Sequence, residues 1–443
     1  MENVHKQMTF LLALCLILSF QPSSTSAQTQ ANASSRKTYQ FINGQWFDGG
    51  RFRRRTFYSA GGVLTRRRPR RVDEVIDLEN GHVVPPFGDA HSHHFDGAFN
   101  IRQLTEMYLR DGIFYAKIPG NVSTGARQVA ALVNTPTTVD VIYAHGVLTG
   151  NYSHPMATYE QLALGLYTPA QWEANAARIR ESRLRENDAY YIIDTQVDLE
   201  NKWARIVAGR PDFIKVMVLD SKNYEERRRR NGYGEGIDPQ LLPQVVARAH
   251  AAGLRVTAHV DSAFDYHIAL MAGVDEMAHM PGYEFRENAD ARTYEISPED
   301  ARETARRRVV VIPTANRMAD STNNVFNIKP EHRERIRTVQ LRNFRLLKRH
   351  GVRFAIGTDL YSTDALKEAL YLSRLGVFSN LEMLKMWCED TPGVIFPNRR
   401  IGRLREGHEA SFIVLNGNPV ENFENVRNIR LWFKQGNPLN AAR

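Results

Sequence analysis

Eight short apolar runs, most of them separated by stretches of helical periodicity, leave this chain very few folds. The runs lie at 82–90, 112–118, 139–145, 213–219, 254–259, 274–279, 309–314 and 352–358. Helical patterns at 239–252, 263–272, 297–308 and 331–350 fall between them. Continuous apolar strands that alternate with helices belong to parallel sheets covered on both faces. Eight such units predict an α/β chain closed into a (β/α)8 TIM barrel rather than an open sheet. Ser297-Pro298-Glu299-Asp300 reads as a helix N-cap with proline at the first helical position. Residues 146–211 read as a long insertion after the third strand, with Pro155, a helix-like 169–185 and Tyr190-Tyr191 inside it.

The two ends look alike and differ from the middle. Short alternating segments occur at 39–47, 61–64 and 75–78, with Asn80-Gly81 as a tight-turn signal; comparable segments return at 410–419 and 429–436. The two termini are therefore expected to pair into a small β-sandwich domain, 38–84 with 398–443, around a barrel at 85–397. The 443 residues suffice for one large and one small unit. Before them, Lys6, the apolar run 8–20 and the small residues 23–27 have the layout of a cleavable signal peptide over 1–27. That predicts an exported mature chain, periplasmic or secreted, with no stable membrane insertion, and 28–37 as a polar linker. Cleavage removes Cys15 and leaves only Cys388, so stability must come from the core and from any bound metal, not from an internal disulfide.

The net charge of +9 comes largely from arginine runs at 53–55, 66–71, 227–230 and 306–308. The runs are scattered and lack interleaved aromatics, so they read as solvated surface and not as a nucleic-acid face. A small molecule is the expected partner; the sequence leaves a homo-oligomer open.

The active site of such a barrel lies at the C-terminal ends of its strands. Reading the last polar residue of each run gives His91 and His93, His145, Lys215, His259, His279 and Asp359. In an extended chain residues i and i+2 face the same way, so His91 and His93 can offer two imidazoles to one ion while His94 points away. His145 is ambiguous between pocket wall and core; His154, His250 and His267 fall in loops or on helical faces and read as structural. Setting His145 aside, six ionisable strand-end residues are hard to explain as packing, because burying them costs several kcal/mol unless they are paired or metal-bound.

These motifs resemble the amidohydrolase superfamily. Pro86-Phe87-Gly88-Asp89-Ala90-His91-Ser92-His93 is similar to its first strand with the glycine displaced. The segments ending in His259, His279 and Asp359 resemble its fifth, sixth and eighth strands, and 401–419 its closing β segment, with Ala410-Ser411 in place of the usual Ala-Asp. Lys215 at the end of strand four is similar to the lysine of prolidase-like and imidazolonepropionase-like members with a binuclear centre. The resemblance implies two divalent ions, zinc before manganese or iron, bridged by a Lys215 carbamate formed with carbon dioxide. It implies His91, His93 and Asp359 at the buried ion, His259 and His279 at the outer one, and Asp359 as general base and then acid. Tyr233, or else Tyr224, resembles a carbonyl-polarising loop tyrosine. The implied reaction is hydrolysis of an amide or peptide-like carbon–nitrogen bond by a metal-activated hydroxide. An esterase or lactonase on the same centre, a mononuclear deaminase and a metal-free binding protein are the competing readings. Lys215 argues against the deaminase, and the complete ligand set argues against the metal-free binder. Neither the substrate nor the metal follows from these residues.

Overall fold

The computed structural model describes residues 37–285, 287–320 and 328–439; the expected signal peptide lies outside them. Both ends of the chain build one eight-stranded sheet. Its N-terminal strands are β1 (Tyr39–Phe47), β2 (Phe52–Ala60), β3 (Val63–Thr65), β4 (Glu74–Asp77) and β5 (His82–Val84).

The barrel follows as β6 (Phe87–Asp89), β7 (Ile113–Ile118), β8 (Asp140–Tyr143), β9 (Val147–Thr149), β10 (Tyr190–Ile192), β11 (Ile214–Val218), β12 (Val256–Val260), β13 (Glu276–Ala278), β14 (Val310–Ile312) and β15 (Arg353–Phe354). The C-terminal strands β16 (Phe412–Leu415), β17 (Ile429–Lys434) and β18 (Asn437–Leu439) complete the first sheet in the order β18-β17-β16-β5-β1-β2-β3, with β4 beside β1.

That sheet folds back on itself. The amide of Leu64, in β3, donates to the His408 carbonyl, and Ala410 N–H donates to Gly62. The fold encloses Phe41, Trp46 and Phe57 from the N-terminal strands and Phe412 and Phe433 from the C-terminal ones, all buried. Trp46 and Phe57 lie 4.5 Å apart and Phe41 and Phe412 4.9 Å. Aromatic pairs at such spacing add ~0.5–1.5 kcal/mol each beyond their burial.

In the TIM barrel β6-β7-β8 form one parallel sheet and β10-β9-β11-β12-β13-β14-β15 the other. The first and last strands close it: Ala90 N–H donates to Ile356 O at 2.8 Å, and the amides of Thr358 and Asp359 both donate to His91 O, at 3.1 and 2.9 Å.

The third strand departs from the sequence expectation. It does not end at residue 145 but breaks there and resumes as β9. The lower half pairs with β7 and the upper half with β11. His145 and Gly146 take left-handed φ of 52° and 111° at the break, and a Cβ on Gly146 would meet the Tyr191 ring at 2.7 Å. Tyr190–Ile192 then lines up parallel to β9, so the 146–211 segment contributes a strand of its own. The helix-like stretch within it is two short helices, Pro169–Ala174 and Ala176–Glu181.

The helices follow from local signals. Ser262 and Asp265 form a capping box on Ala263–Ala272, and Ser297 Oγ accepts from Asp300 N–H on Pro298–Arg307. Among the described residues no helix is long and apolar enough to cross a membrane.

One buried cation ties the β domain to the barrel. Lys434, fully buried on β17, donates from Nζ to the carbonyls of Thr135 and Thr138 and to Asp140 Oδ1, each at 2.6 Å. Asp140, at the start of β8, also accepts from Arg399 at 2.8 Å. Lys434→Met removes the ammonium and leaves a buried carboxylate and two carbonyls with fewer donors, which should cost about 3 kcal/mol. Urea unfolding checks this; a variant as stable as the parent would show that Arg399 alone satisfies Asp140.

Candidate metal centre

A cavity of about 540 Å³ opens at the C-terminal mouth of the barrel, and its wall includes all six expected ligands: His91, His93, Lys215, His259, His279 and Asp359. The tightest group is His91, His93 and Asp359, whose ligand-type atoms lie within 4.8 Å of one another. Asp359 Oδ1 is 2.9 Å from His93 Nε2 and 3.4 Å from His91 Nε2. The ring of His279 is 4.7 Å from that of His91 and 4.4 Å from that of His259.

The local chemistry of the first and eighth strands explains this approach. The two amides on His91 O pull the segment 357–359 against 89–91, and only glycine permits it at Gly357, where a Cβ would sit 2.6 Å from His91 N. Asp89 brackets the same junction from below. Its Oδ1 accepts from the amides of His91 and Thr358, and its Oδ2 from Tyr108 OH at 3.0 Å. Burial raises the Asp89 carboxyl to about 7 against those hydrogen bonds. The displaced glycine of the motif has its own reason: a Cβ on Gly88 would strike Thr391 Cγ2 at 2.9 Å.

Backbone strain concentrates at the same mouth. His279, Thr314 and Asp359, just beyond β13, β14 and β15, have φ of 83°, 47° and 53°. Each such conformation costs of order 1–3 kcal/mol for a non-glycine residue, and such residues cluster at working sites.

Lys215 is buried at 3% exposure and its Nζ has no hydrogen-bond partner among the described residues. Burial lowers its pKa to about 7, with Asp359 acting in the opposite sense. Burial likewise lowers His91 to about 3 and holds His259 and His279 well below the usual imidazole range. In Asp359 burial favours the acid, but His91 and His93, then Arg317, outweigh it and hold the carboxyl well below its ordinary value. The cluster thus joins imidazoles, a poised amine and a carboxylate, a donor set suited to divalent metals.

The structure does not bring Tyr233 to this cavity. Its hydroxyl accepts from Arg180 at 2.6 Å and its ring packs on Tyr152 at 4.7 Å. Tyr224 is buried beneath Gly234, outside the cavity wall. His145 also faces elsewhere, stacked on Tyr143 and paired with Asn121. His250 and His267 pair with Asp275 and Asp300.

His154, read from sequence as structural, does line the cavity, its ring 5.5 Å from that of His259. Asp261, Tyr283, Arg317 and Tyr361 join it in the wall and were missed. The signal was present for two of them: Asp261 is two residues beyond His259 and Tyr283 four beyond His279. Arg317 donates from Nη1 to Asp359 O and Oδ2 at 3.0 and 3.3 Å and from Nε to Glu284 at 3.0 Å.

This constellation at a barrel mouth defines a hydrolase site, and the chain belongs to the amidohydrolase family, whose pattern matches residues 82–439. It resembles a solved Xaa-Pro dipeptidase with methionine in its active site at 16% identity and a TM-score of 0.66, over 91% of this chain and 99% of that one. Aspergillus niger ochratoxinase matches at 16% identity and 0.66, and a putative prolidase from Bifidobacterium longum at 15% and 0.67, each over 91% of this chain and 95% of the other. Among curated proteins no sequence matches.

The buried amine makes a pH-dependent prediction for chelator-treated protein. The pKa of Lys215 is about 7 when folded against an ordinary 10.5, so the unfolded chain binds the extra proton between those values. The cost to the fold is therefore absent above about pH 10.5 and complete below about pH 7. Lys215→Met should be more stable than the parent by on the order of a few kcal/mol at pH 7, and the gap should shrink toward pH 10. Urea midpoints at the two pH values measure it, and an unchanged gap would contradict the buried-amine account.

Proposed function

We propose that this chain is a metal-dependent amidohydrolase that cleaves an amide or peptide-like carbon–nitrogen bond at a binuclear centre. The observation that carries the reading is the buried Lys215 Nζ, without a hydrogen-bond partner among the described residues, in a cavity whose wall includes His91, His93, His259, His279 and Asp359. An amine in that state is poised to capture carbon dioxide, and the resulting carbamate is an anion that the site could keep only beside cations. The residues present therefore fit the metals. His91, His93 and Asp359 would hold one ion, His259 and His279 the other, and carboxylated Lys215 both. When bound, such ions polarise a carbonyl and lower the pKa of water.

Asp359 performs the proton transfers. It takes a proton from the attacking water as that oxygen bonds to the carbonyl carbon, and returns it to the nitrogen as the C–N bond breaks. Arg317, bonded to both the backbone oxygen and Oδ2 of Asp359, keeps the carboxylate aimed and ionised. The cavity, with Val147, Met217 and Leu219 in its wall beside the polar groups, suits a small molecule with an apolar flank. The Xaa-Pro dipeptidase and prolidase among its structural relatives favour a peptide-like substrate over an ester. Export by the N-terminal signal remains part of the proposal.

The test is a screen of N-acyl amino acids, dipeptides and lactones with added zinc or manganese, run in parallel on His259→Ala. Activity should be lost to a chelator and restored by metal, with amides hydrolysed faster than lactones. The variant should lose about 10²–10⁴ in kcat/KM, the scale expected for groups that act in the chemical step. Parental turnover by His259→Ala would refute the site.

A further inference from the structure

We propose that Asp261 and Tyr283 form a positioning pair that fixes which ring nitrogen His259 presents to the cavity, and so governs the outer of the two metal positions. The inference rests on the binuclear reading above and adds two residues to it.

It starts from the chemistry of an imidazole. A neutral ring carries one N–H, and the group bonded to one nitrogen decides where that hydrogen sits. His259 Nε2 lies 2.9 Å from Asp261 Oδ1. An ionised carboxylate only accepts, so Nε2 bears the hydrogen and Nδ1 keeps the lone pair that a metal requires. Tyr283 tightens the arrangement, because its hydroxyl is 3.0 Å from the same Asp261 Oδ1 and 3.1 Å from His259 Nε2. The phenol donates to the carboxylate and holds it where the imidazole N–H must meet it.

The same tyrosine reaches the second outer histidine. Its ring lies flat on that of His279, with centroids 4.0 Å apart and planes 14° from parallel. His279 Nδ1 is 2.7 Å from Thr314 Oγ1 and 3.9 Å from Asp359 Oδ2. One side chain thus packs against both histidines assigned to the outer position.

Tyr283 is itself rigidly placed. It is 3% exposed and its N–H donates to Met280 O at 3.0 Å. The Pro281-Gly282 turn before it needs the left-handed φ of 95° at Gly282. Asn343, on the helix Pro330–Arg349, donates to Pro281 O at 3.1 Å and clamps that turn from behind. Asp261 directly precedes the Ser262 cap, whose box fixes the backbone at this point. A surface carboxylate that bonded any nearby donor would not need a buried phenol anchored this way.

Groups that orient a metal-binding histidine from outside typically change metal affinity by 10–100-fold when lost. The test is a zinc titration of chelator-stripped protein against a competing chromophoric chelator. The parent should bind two equivalents. Tyr283→Phe, which keeps the ring stack, and Asp261→Ala should each weaken one equivalent by 10–100-fold and leave the other as it was. Asp261→Asn, whose oxygen still accepts from Nε2–H, should recover part of the loss. Two equivalents bound at parental affinity by both Tyr283→Phe and Asp261→Ala, or an equal weakening of both equivalents, would overturn the pairing while leaving the metal centre standing. A parent that binds fewer than two equivalents would defeat the binuclear reading and this inference with it. Unfolding of the stripped variants at the parental urea midpoint separates a lost metal site from a damaged fold.

Discussion

The His91 carbonyl oxygen accepts the amides of Thr358 and Asp359, and the rest of the molecule is arranged around that junction. The two bonds join the first barrel strand to the last, so they close the sheet and assemble the site in one act. Residues 268 positions apart in sequence come into contact because the barrel has no other way to satisfy its edges. The glycine at 357 and the buried Asp89 carboxylate exist to permit this approach. Closure and the geometry of the cluster are therefore linked: the segment that bonds to His91 O also carries Asp359 to 3.4 Å from His91 Nε2 and 2.9 Å from His93 Nε2.

Below the metal-type cluster the barrel interior carries a second polar layer. Lys117 on β7 is bonded to Glu276 on β13 and to Thr257 on β12, and Arg255 approaches Glu276 from the strand's lower end. Lys117 also sits 4.0 Å over the Phe213 ring. A buried ion pair of this kind is worth little in net stability, since desolvation consumes most of the attraction. Its value lies in filling the barrel axis with groups that satisfy one another. Lys215 is not included in that layer, although Lys117 and Glu276 both act on it electrostatically. Its amine is left facing the cavity.

Much of this was legible in the sequence because it depends on short-range rules. A strand that ends in histidine needs only its own run of apolar residues to be seen, and Ser262 and Ser297 cap helices through contacts three residues away. Alternation at both termini likewise announced the shared sheet. The break at His145 and Gly146 was invisible, since it depends on Tyr191 arriving from 45 residues further on to occupy the space that a Cβ would need. Tyr233 was misplaced for a related reason. Its loop is stitched to 150–153, where Gly236 N–H donates to Ser153 Oγ, and Arg180 then captures the phenol. Which tyrosine reaches a barrel mouth is decided by how loops pack on one another, and residue spacing carries little of that information. The loops after β12 and β13 were more readable in principle, because Asp261 and Tyr283 follow known strand ends too closely to point elsewhere.

Costs and supports are distributed unevenly over the chain. The barrel mouth holds left-handed His279, Thr314 and Asp359, a buried amine without a hydrogen-bond partner among the described residues, and a carboxylate among imidazoles. The strained backbones and the buried amine are unfavourable for folding, whereas the Asp359 carboxylate is held by His91, His93 and Arg317. The compensation lies away from the chemistry. It comes from the interleaved aromatic core of the β domain, from Trp387, which stacks on Phe87 at 3.8 Å and donates to Gly88 O, and from Lys434 on Asp140. Trp387 and Phe87 brace β6 two to four residues before the His-x-His pair, so the support lies next to His91 and His93. That coupling explains why the β domain cannot be regarded as an appendage: its strand β5 runs directly into β6, and the position of His91 is inherited from both.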